Sequence, residues 1–228
     1  MIDLYTWPTP NGWKIHIMLE ECGLTYKAHT VNIGKGEQHE PEFLAISPNN
    51  RIPAIVDHDG PGGEPISVFE SGAILIYLAE KTGKFYGSDF GKRTEINQWL
   101  MWQMGGVGPM LGQNHHFVKY APEQIPYAQT RYINESARLY GVADRQLAKN
   151  AYIAGGDYSI ADMACYGWMS LWEGQKQDIN DFSNVSRWLD ELAERPAVQR
   201  GMALFREKRQ NFAKVDTAQE KLFGNKAS

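Results

Sequence analysis

The sequence predicts two units, a mixed α/β domain followed by an all-helical domain. Strand and helix patterns alternate over roughly the first 82 of the 228 residues, whereas from residue 92 onward apolar residues recur at helical spacing. The intervening residues 85–91 have the composition of a linker. We therefore expect an α/β domain over residues 1–84, a helical domain over residues 92–208 and a polar tail over residues 209–228.

The first half of the α/β domain has the pattern strand, helix, strand. Residues 2–5 predict a strand, and residues 12–22 an amphipathic helix that ends at Gly23. Residues 26–31 predict a second strand. We expect it to run parallel to the first, because a helix separates the two.

The second half of this domain predicts a hairpin and a helix. Residues 34–36 and the polar stretch after them form a loop, and residues 53–56 and 66–69 form two short strands. The Gly-Pro-Gly-Gly segment at residues 60–63 turns the chain between these strands. A helix over residues 71–82 then completes the order β-α-β, loop, β-β-α.

Two features stand out in the helical domain. Three glycines and a proline within residues 105–109 interrupt a long helical pattern and should bend it. Ser159 and Asp162 match an N-terminal capping box, whose role we expect to be structural.

Composition excludes several function classes. The net charge of −4 offers nothing to nucleic acid or to an anionic membrane, and 43% hydrophobic residues suffice for folded cores. No apolar run approaches the length of a membrane span, and the first residues enter a strand without a basic leader. We expect a soluble, cytoplasmic protein.

The cysteine and histidine patterns predict neither a redox pair nor a metal site. Cys22 and Cys165 form no C-x-x-C motif, lie in apolar helical settings, and are expected to be buried core residues. His115 and His116 are adjacent, so they point to different sides of a helix, and no zinc-type spacing completes a site. We expect no metal and no dithiol carried by the protein.

Three short motifs in the first 72 residues suggest a site for a peptide-like anion. Residues 9–12 (Thr-Pro-Asn-Gly) turn the chain from a strand into a helix. Ile52-Pro53 breaks a strand edge where a peptide could pair with exposed backbone, and Glu70-Ser71 opens a helix whose N-terminus attracts a carboxylate.

Taken in order along the chain, these motifs resemble the glutathione transferase family over nearly the whole length. Residues 34–38 (Gly-Lys-Gly-Glu-Gln), 47–53 and 105–117 are similar to its nu class, which includes bacterial disulfide-bond oxidoreductases. The resemblance implies the glutathione transferase fold, an α/β thioredoxin-like N-terminal domain plus an all-α C-terminal helical domain. It also implies reduced or oxidised glutathione as a co-substrate.

The resemblance assigns the sulfur of glutathione to the turn after the first strand. It implies that the Thr9 hydroxyl and the Asn11 amide face this sulfur, where two neutral donors would stabilise a thiolate. Both residue types also favour turns, so a purely local role is the alternative. Tyr5, on the first strand, is expected to be a packed residue rather than the activating one.

The remaining contacts to glutathione are implied in the same way. A cis peptide at Ile52-Pro53 would leave the Ile52 N–H and C=O free for the cysteinyl backbone. Glu70 would bind the γ-glutamyl ammonium, and Ser71 with its helix N-terminus the carboxylate. Glu70-Ser71 also fits a simple helix cap, a role that can coexist with binding.

Two further contacts lie outside these motifs. Gln38 would meet the glycyl end of glutathione. Arg131, on the second long helix, is a candidate bidentate partner for a glutathione carboxylate from its own or a partner subunit, and its alternative is a solvated surface role. The resemblance also implies a homodimer.

Three functions remain open on the sequence. The first is a glutathione-dependent disulfide-bond reductase that uses bound glutathione thiols rather than protein cysteines. The second is a transferase or peroxidase acting on electrophiles or organic peroxides, which would share the glutathione site. The third is a non-catalytic glutathione-binding regulatory protein, disfavoured by the lack of an Asn/Gln-rich N-terminal extension.

Overall fold

The computed structural model begins with a four-stranded mixed sheet in the order β2-β1-β3-β4. Strand β1 is parallel to β2 and antiparallel to β3, and β3 is antiparallel to β4. The structure describes residues 1–209, so the predicted polar tail lies outside the described residues except for Arg209. The strands are β1 (Ile2–Thr6), β2 (Tyr26–Thr30), β3 (Ala54–Asp57) and β4 (Ile66–Phe69).

Three helices accompany the sheet: α1 (Pro10–Cys22), α2 (Pro41–Leu44) and α3 (Ser71–Thr82). The predicted order β-α-β, loop, β-β-α is confirmed, and α2 is a single turn within the predicted loop. Helix α1 begins two residues earlier than predicted, because Pro10 at its first position lacks an N–H that would have no partner there. Gly23 (φ 67°) and Gly83 (φ 68°) end α1 and α3 in the left-handed region, as predicted.

The helical part begins at Phe90, with Asp89 as N-cap, so the last two residues of the predicted linker are helical. A π-helical turn at Gln103–Val107 interrupts the long helix where the glycines predict a bend. The helices are α4 (Phe90–Trp102), α5 (Gly108–His115), α6 (Pro126–Leu147), α7 (Ile160–Met169), α8 (Ser183–Ala193) and α9 (Pro196–Ala203).

Helix α1 joins the two parts of the molecule. It packs against α3 of the sheet domain and against α7 and α9 of the helical part. Its His16 is fully buried, with Nδ1 3.1 Å from the Gly201 carbonyl oxygen and Nε2 2.8 Å from Thr6 Oγ1. A Cβ at Gly201 would lie 2.8 Å from the Ile17 nitrogen, so only glycine permits this approach of α9. The residues of α1 are therefore held in place from both domains.

The capping box at the start of α7 is confirmed. Asp162 accepts from the Ser159 N–H at 3.0 Å, and the Ser159 hydroxyl accepts from the Ala161 N–H at 3.3 Å. The fully buried Asp162 also accepts from Ile153 N–H at 2.8 Å and Trp188 Nε1–H at 3.0 Å. Burial raises the pKa of the Asp162 carboxyl to about 6, although its hydrogen bonds from Ile153, Ser159 and Trp188 favour the charged form. The box fixes the start of α7.

Both cysteines are buried, as predicted, with Cys22 9% and Cys165 0% exposed. Among residues 1–209, none of the helices combines the length and apolar character that a membrane crossing requires.

Candidate functional site

A cavity of about 280 Å³ lies between the sheet domain and the helical part. One wall comes from α1 and the start of α3, a second from the loop before β3, and a third from the π-helical turn and the start of α5. The lining residues are Asn11, Lys14, Asn49, Arg51, Ile52, Pro53, Glu70, Ser71, Gln103, Met104, Gly108 and Pro109.

Five of the eight residues predicted for the site line this cavity: Asn11, Ile52, Pro53, Glu70 and Ser71. The Ile52-Pro53 peptide is cis, as predicted. Within residues 1–209 the Ile52 N–H donates no hydrogen bond to the protein, so it is available to a ligand backbone.

The other three predicted residues do not line the cavity. Thr9 is the N-cap of α1, and its hydroxyl accepts from Gly12 N–H at a long 3.5 Å. Gln38 is 2% exposed, and its amide oxygen has no partner within the described residues. Arg131 is exposed on α6. The contacts of these three side chains with glutathione stay predictions.

Tyr5 is a packed strand residue, as predicted. Its ring stacks on His29 with 4.8 Å between centroids and tilts against Phe43. Burial raises the pKa of its hydroxyl, so the side chain has the environment of a neutral packing group rather than of an activating one.

Asn11 presents a donor to the cavity because its acceptor is occupied. Trp168, on α7, donates its indole N–H to Asn11 Oδ1 at 2.9 Å. An indole nitrogen can only donate, so the partner atom must be the amide oxygen. The NH₂ group of Asn11 is thereby left for the cavity. These two residues lie 157 positions apart in the chain, so no local pattern indicates their pairing.

Glu70 and Ser71 form the opening of α3. Glu70 is an exposed residue with φ 68° and ψ 117°, an unusual conformation for a residue with a side chain. Its Oε1 accepts from Asn49 Nδ2 at 3.0 Å. The first helical bond joins Ile74 N–H to Glu70 C=O, so the N–H groups before Ile74 have no partner within the helix and can meet an anion.

Lys14 is a site residue that the sequence reasoning missed. It lies one turn after Asn11 on α1 and is 1% exposed. Its Nζ donates to Gln103 Oε1 at 2.8 Å and to Ser71 Oγ at 3.2 Å, and none of the ion pairs within residues 1–209 includes it. Burial lowers the pKa of Lys14 to about 7, only partly opposed by Cys165 and Glu70. In the sequence, burial of Lys14 is indicated only by its place beside the apolar residues of α1.

The π-helical turn supplies further residues that were not predicted for the site. Gln103 is fully buried, and its Nε2 has no hydrogen-bond partner within the described residues. Gly108 lies against this amide, because a Cβ there would be 3.0 Å from Gln103 Nε2 and 3.5 Å from Trp168 Nε1. The glycines of this segment predicted only a bend, whereas the turn also forms one wall of the cavity.

Neither cysteine is placed as a nucleophile. Cys22 and Cys165 do not line the cavity, and burial raises the pKa of both thiols. Among residues 1–209, no group of three or more His, Cys, Asp or Glu side chains has the arrangement to hold a metal ion.

Two family models match the chain. The glutathione S-transferase N-terminal domain matches residues 1–80, and the glutathione S-transferase C-terminal domain matches residues 117–196. The first of these spans contains Asn11, Ile52, Pro53, Glu70 and Ser71.

Similar proteins extend this match over most of the chain. The disulfide-bond oxidoreductase YfcG of Escherichia coli K12 is 53% identical over 207 residues, which cover 90% of this chain and 95% of that protein. A glutathione transferase family member from Pseudomonas fluorescens pf-5, solved with two glutathione bound, is 47% identical, with a TM-score of 0.84 and coverage of 88% and 92%. A glutathione transferase from Pseudomonas putida, solved with one glutathione disulfide per subunit, is 46% identical, with a TM-score of 0.86 and coverage of 90% and 91%.

Proposed function

Because the chain belongs to the glutathione S-transferase family, we propose that it is a glutathione-dependent disulfide-bond reductase whose exchanging thiols come from bound glutathione. The observation that carries the proposal is the chemistry of the cavity. Asn11 directs an amide donor into it, yet neither of the two protein thiols opens on it. A thiolate acting there must therefore arrive with the ligand.

The reaction needs two glutathione thiols. The thiolate of the first attacks one sulfur of the disulfide, forms a mixed disulfide and releases a substrate thiolate. The thiolate of the second attacks the glutathione sulfur, releases the other substrate thiol and leaves glutathione disulfide. The substrate disulfide gains two electrons and two protons and becomes two thiols. The two glutathione molecules supply these electrons and protons and become glutathione disulfide. The two Pseudomonas relatives, one with two glutathione and one with glutathione disulfide, hold the reductant and the product of such a reaction.

The lining residues fit the groups of the tripeptide. The Ile52 backbone would pair with the cysteinyl residue, Glu70 with the γ-glutamyl ammonium, and Ser71 with its carboxylate. The NH₂ group of Asn11 would stabilise the thiolate. The Thr9 hydroxyl would join it by turning its proton from the Trp7 carbonyl oxygen, 3.5 Å away, to the sulfur, while its oxygen still accepts from Gly12 N–H.

Gln38 and Arg131 complete the proposed binding site. The Gln38 amide oxygen, which has no hydrogen-bond partner within residues 1–209, would accept from the glycyl N–H. The exposed Arg131 would reach a glutathione carboxylate in its own or a partner subunit.

We further propose a nu-class homodimer that functions in the cytoplasm, where the glutathione pool is reducing. Exposed apolar side chains on both domains, Phe69 on β4 and Phe90 and Met101 on α4, offer surfaces for such a dimer. We place the two domains at residues 1–84 and 92–208. Sedimentation at micromolar concentration showing only the 25.8 kDa monomer would contradict the dimer.

Rates with a model disulfide and with a model aryl halide test the proposed reaction. We expect the disulfide to be reduced faster, and Asn11→Ala to slow this reaction without unfolding the protein. A preference of about a hundredfold for the aryl halide in kcat/KM would instead favour the transferase. Absence of turnover with both substrates, despite glutathione binding, would favour a regulatory protein.

A further inference from the structure

Lys14 determines which atoms of two neighbouring side chains are left for the cavity. Its ammonium donates to Ser71 Oγ and to Gln103 Oε1, so both of these oxygens act as acceptors on the protein side. A protonated lysine nitrogen can only donate hydrogen bonds. The Gln103 amide must therefore turn its oxygen, and not its NH₂ group, toward Lys14. The Ser71 O–H and the Gln103 NH₂ are left as donors.

Neither of these donors has a strong partner among the residues that the structure describes. Within them the Ser71 hydroxyl donates only to Met104 Sδ, at 3.6 Å, and a thioether is a weak acceptor. Gln103 Nε2 is buried without a partner within the described residues. Since both residues line the cavity, an oxygen anion placed there would give a strong acceptor to both donors.

We propose that Lys14 is a positioning residue for the γ-glutamyl carboxylate of glutathione: it turns the donors of Ser71 and Gln103 toward that carboxylate and places its charge behind them. The inference rests on the proposed function, because it takes glutathione as the ligand of the cavity.

The electrostatics support this assignment. A buried ammonium at the N-terminus of α3 meets the positive end of the helix dipole, so its own surroundings disfavour the charge. Glu70, from the start of α3, and Cys165, from α7, are the titratable groups that act on it, and Cys165 stays a neutral thiol because burial raises its pKa. Ser71, Gln103 and Met104 face it as neutral groups. Glu70 forms no ion pair with Lys14, and a ligand carboxylate would place a negative charge much closer to the ammonium.

This arrangement couples binding to protonation. The pKa of Lys14 in the free protein is lowered to about 7, so at higher pH much of the side chain is neutral. A bound carboxylate raises that pKa, so binding takes up protons, and the affinity falls as pH rises above about 7.

The test compares two ligands in the full chain. One is S-methylglutathione, which has no thiol to titrate, and the other is its analogue without the γ-glutamyl α-carboxylate. Calorimetry of Lys14→Met should show about a tenfold to hundredfold loss of affinity for S-methylglutathione, the range for a charged hydrogen-bonded contact, and little change for the analogue. Lys149→Met, at an exposed lysine, is the matched control and should change neither affinity. Equal losses for both ligands, or no loss for either, would overturn the inference.

A second measurement does not depend on the variant folding. Binding enthalpies of the unmodified protein in two buffers of different ionisation enthalpy, at about pH 7.5, give the number of protons taken up. More protons should be taken up on binding of S-methylglutathione than on binding of the analogue. Equal proton uptake for the two ligands would overturn the inference. If S-methylglutathione does not bind the unmodified protein, the proposed function fails together with the inference. If it binds but Lys14→Met does not discriminate between the ligands, only the inference fails.

Discussion

Replacing Trp168 with Phe tests whether the orientation of Asn11 matters for catalysis. The substitution keeps an aromatic ring on α7 but removes the indole N–H that donates to Asn11 Oδ1 at 2.9 Å. Without this bond the amide can rotate and present its oxygen, rather than its NH₂ group, to the thiolate. The lost bond and the rotational freedom together should cost about 0.5–1.5 kcal/mol, or about twofold to tenfold in kcat/KM.

Two readouts separate this effect from general damage. Turnover with a model disulfide should fall, and the pKa of the bound glutathione thiol, followed by ultraviolet absorbance of its thiolate, should rise. Trp172→Phe, at a partly buried tryptophan that does not line the cavity, is the matched control and should change neither. A larger loss is expected for Asn11→Ala, which removes the donor itself.

A double-mutant cycle decides the question. If Trp168 acts through Asn11, adding Trp168→Phe to Asn11→Ala should have almost no further effect. An equal loss in both backgrounds would show that Trp168 does not act through Asn11 but through its packing, such as its contact with His115 at 6.0 Å between ring centroids.

Two further perturbations follow from the site and the fold. Glu70→Ala should weaken glutathione binding by about 1.5–3 kcal/mol, because the ligand ammonium loses a charged hydrogen bond, and near-normal affinity in a folded variant by calorimetry would remove Glu70 from the site. Asp162→Ala should lower the free energy of unfolding by about 2–4 kcal/mol in urea titrations, because the α7 cap is lost and buried donors of Ile153 and Trp188 are left without an acceptor. A change below about 1 kcal/mol would show that water replaces the carboxylate.

Local patterns predicted most of the sheet domain. Strands β1, β2 and β4 and helices α1 and α3 lie within two residues of their predicted bounds, because alternation and glycine stops are read from neighbouring residues. Strand β3 begins at Ala54 rather than at Pro53, since proline has no N–H for the ladder.

The wall of the cavity was predictable only where a motif marks it. Asn11, Ile52-Pro53 and Glu70-Ser71 stand in recognisable motifs, whereas Lys14 and Gln103 do not. Lysine is rarely buried, so a lysine in an amphipathic helix is ordinarily placed on its polar face. Its burial depends on a partner 89 residues away in the chain, and such tertiary contacts leave no local pattern.

In the proposed reaction the exchanging thiols belong to glutathione and not to the protein. The disulfide reductase activity of the double variant Cys22→Ala/Cys165→Ala decides between these two sources of thiol, since both cysteines are buried and neither lines the cavity. We expect this variant to keep most of the activity with glutathione and a model disulfide, with some loss of stability. A folded but inactive variant whose activity returns when either cysteine is restored would contradict it.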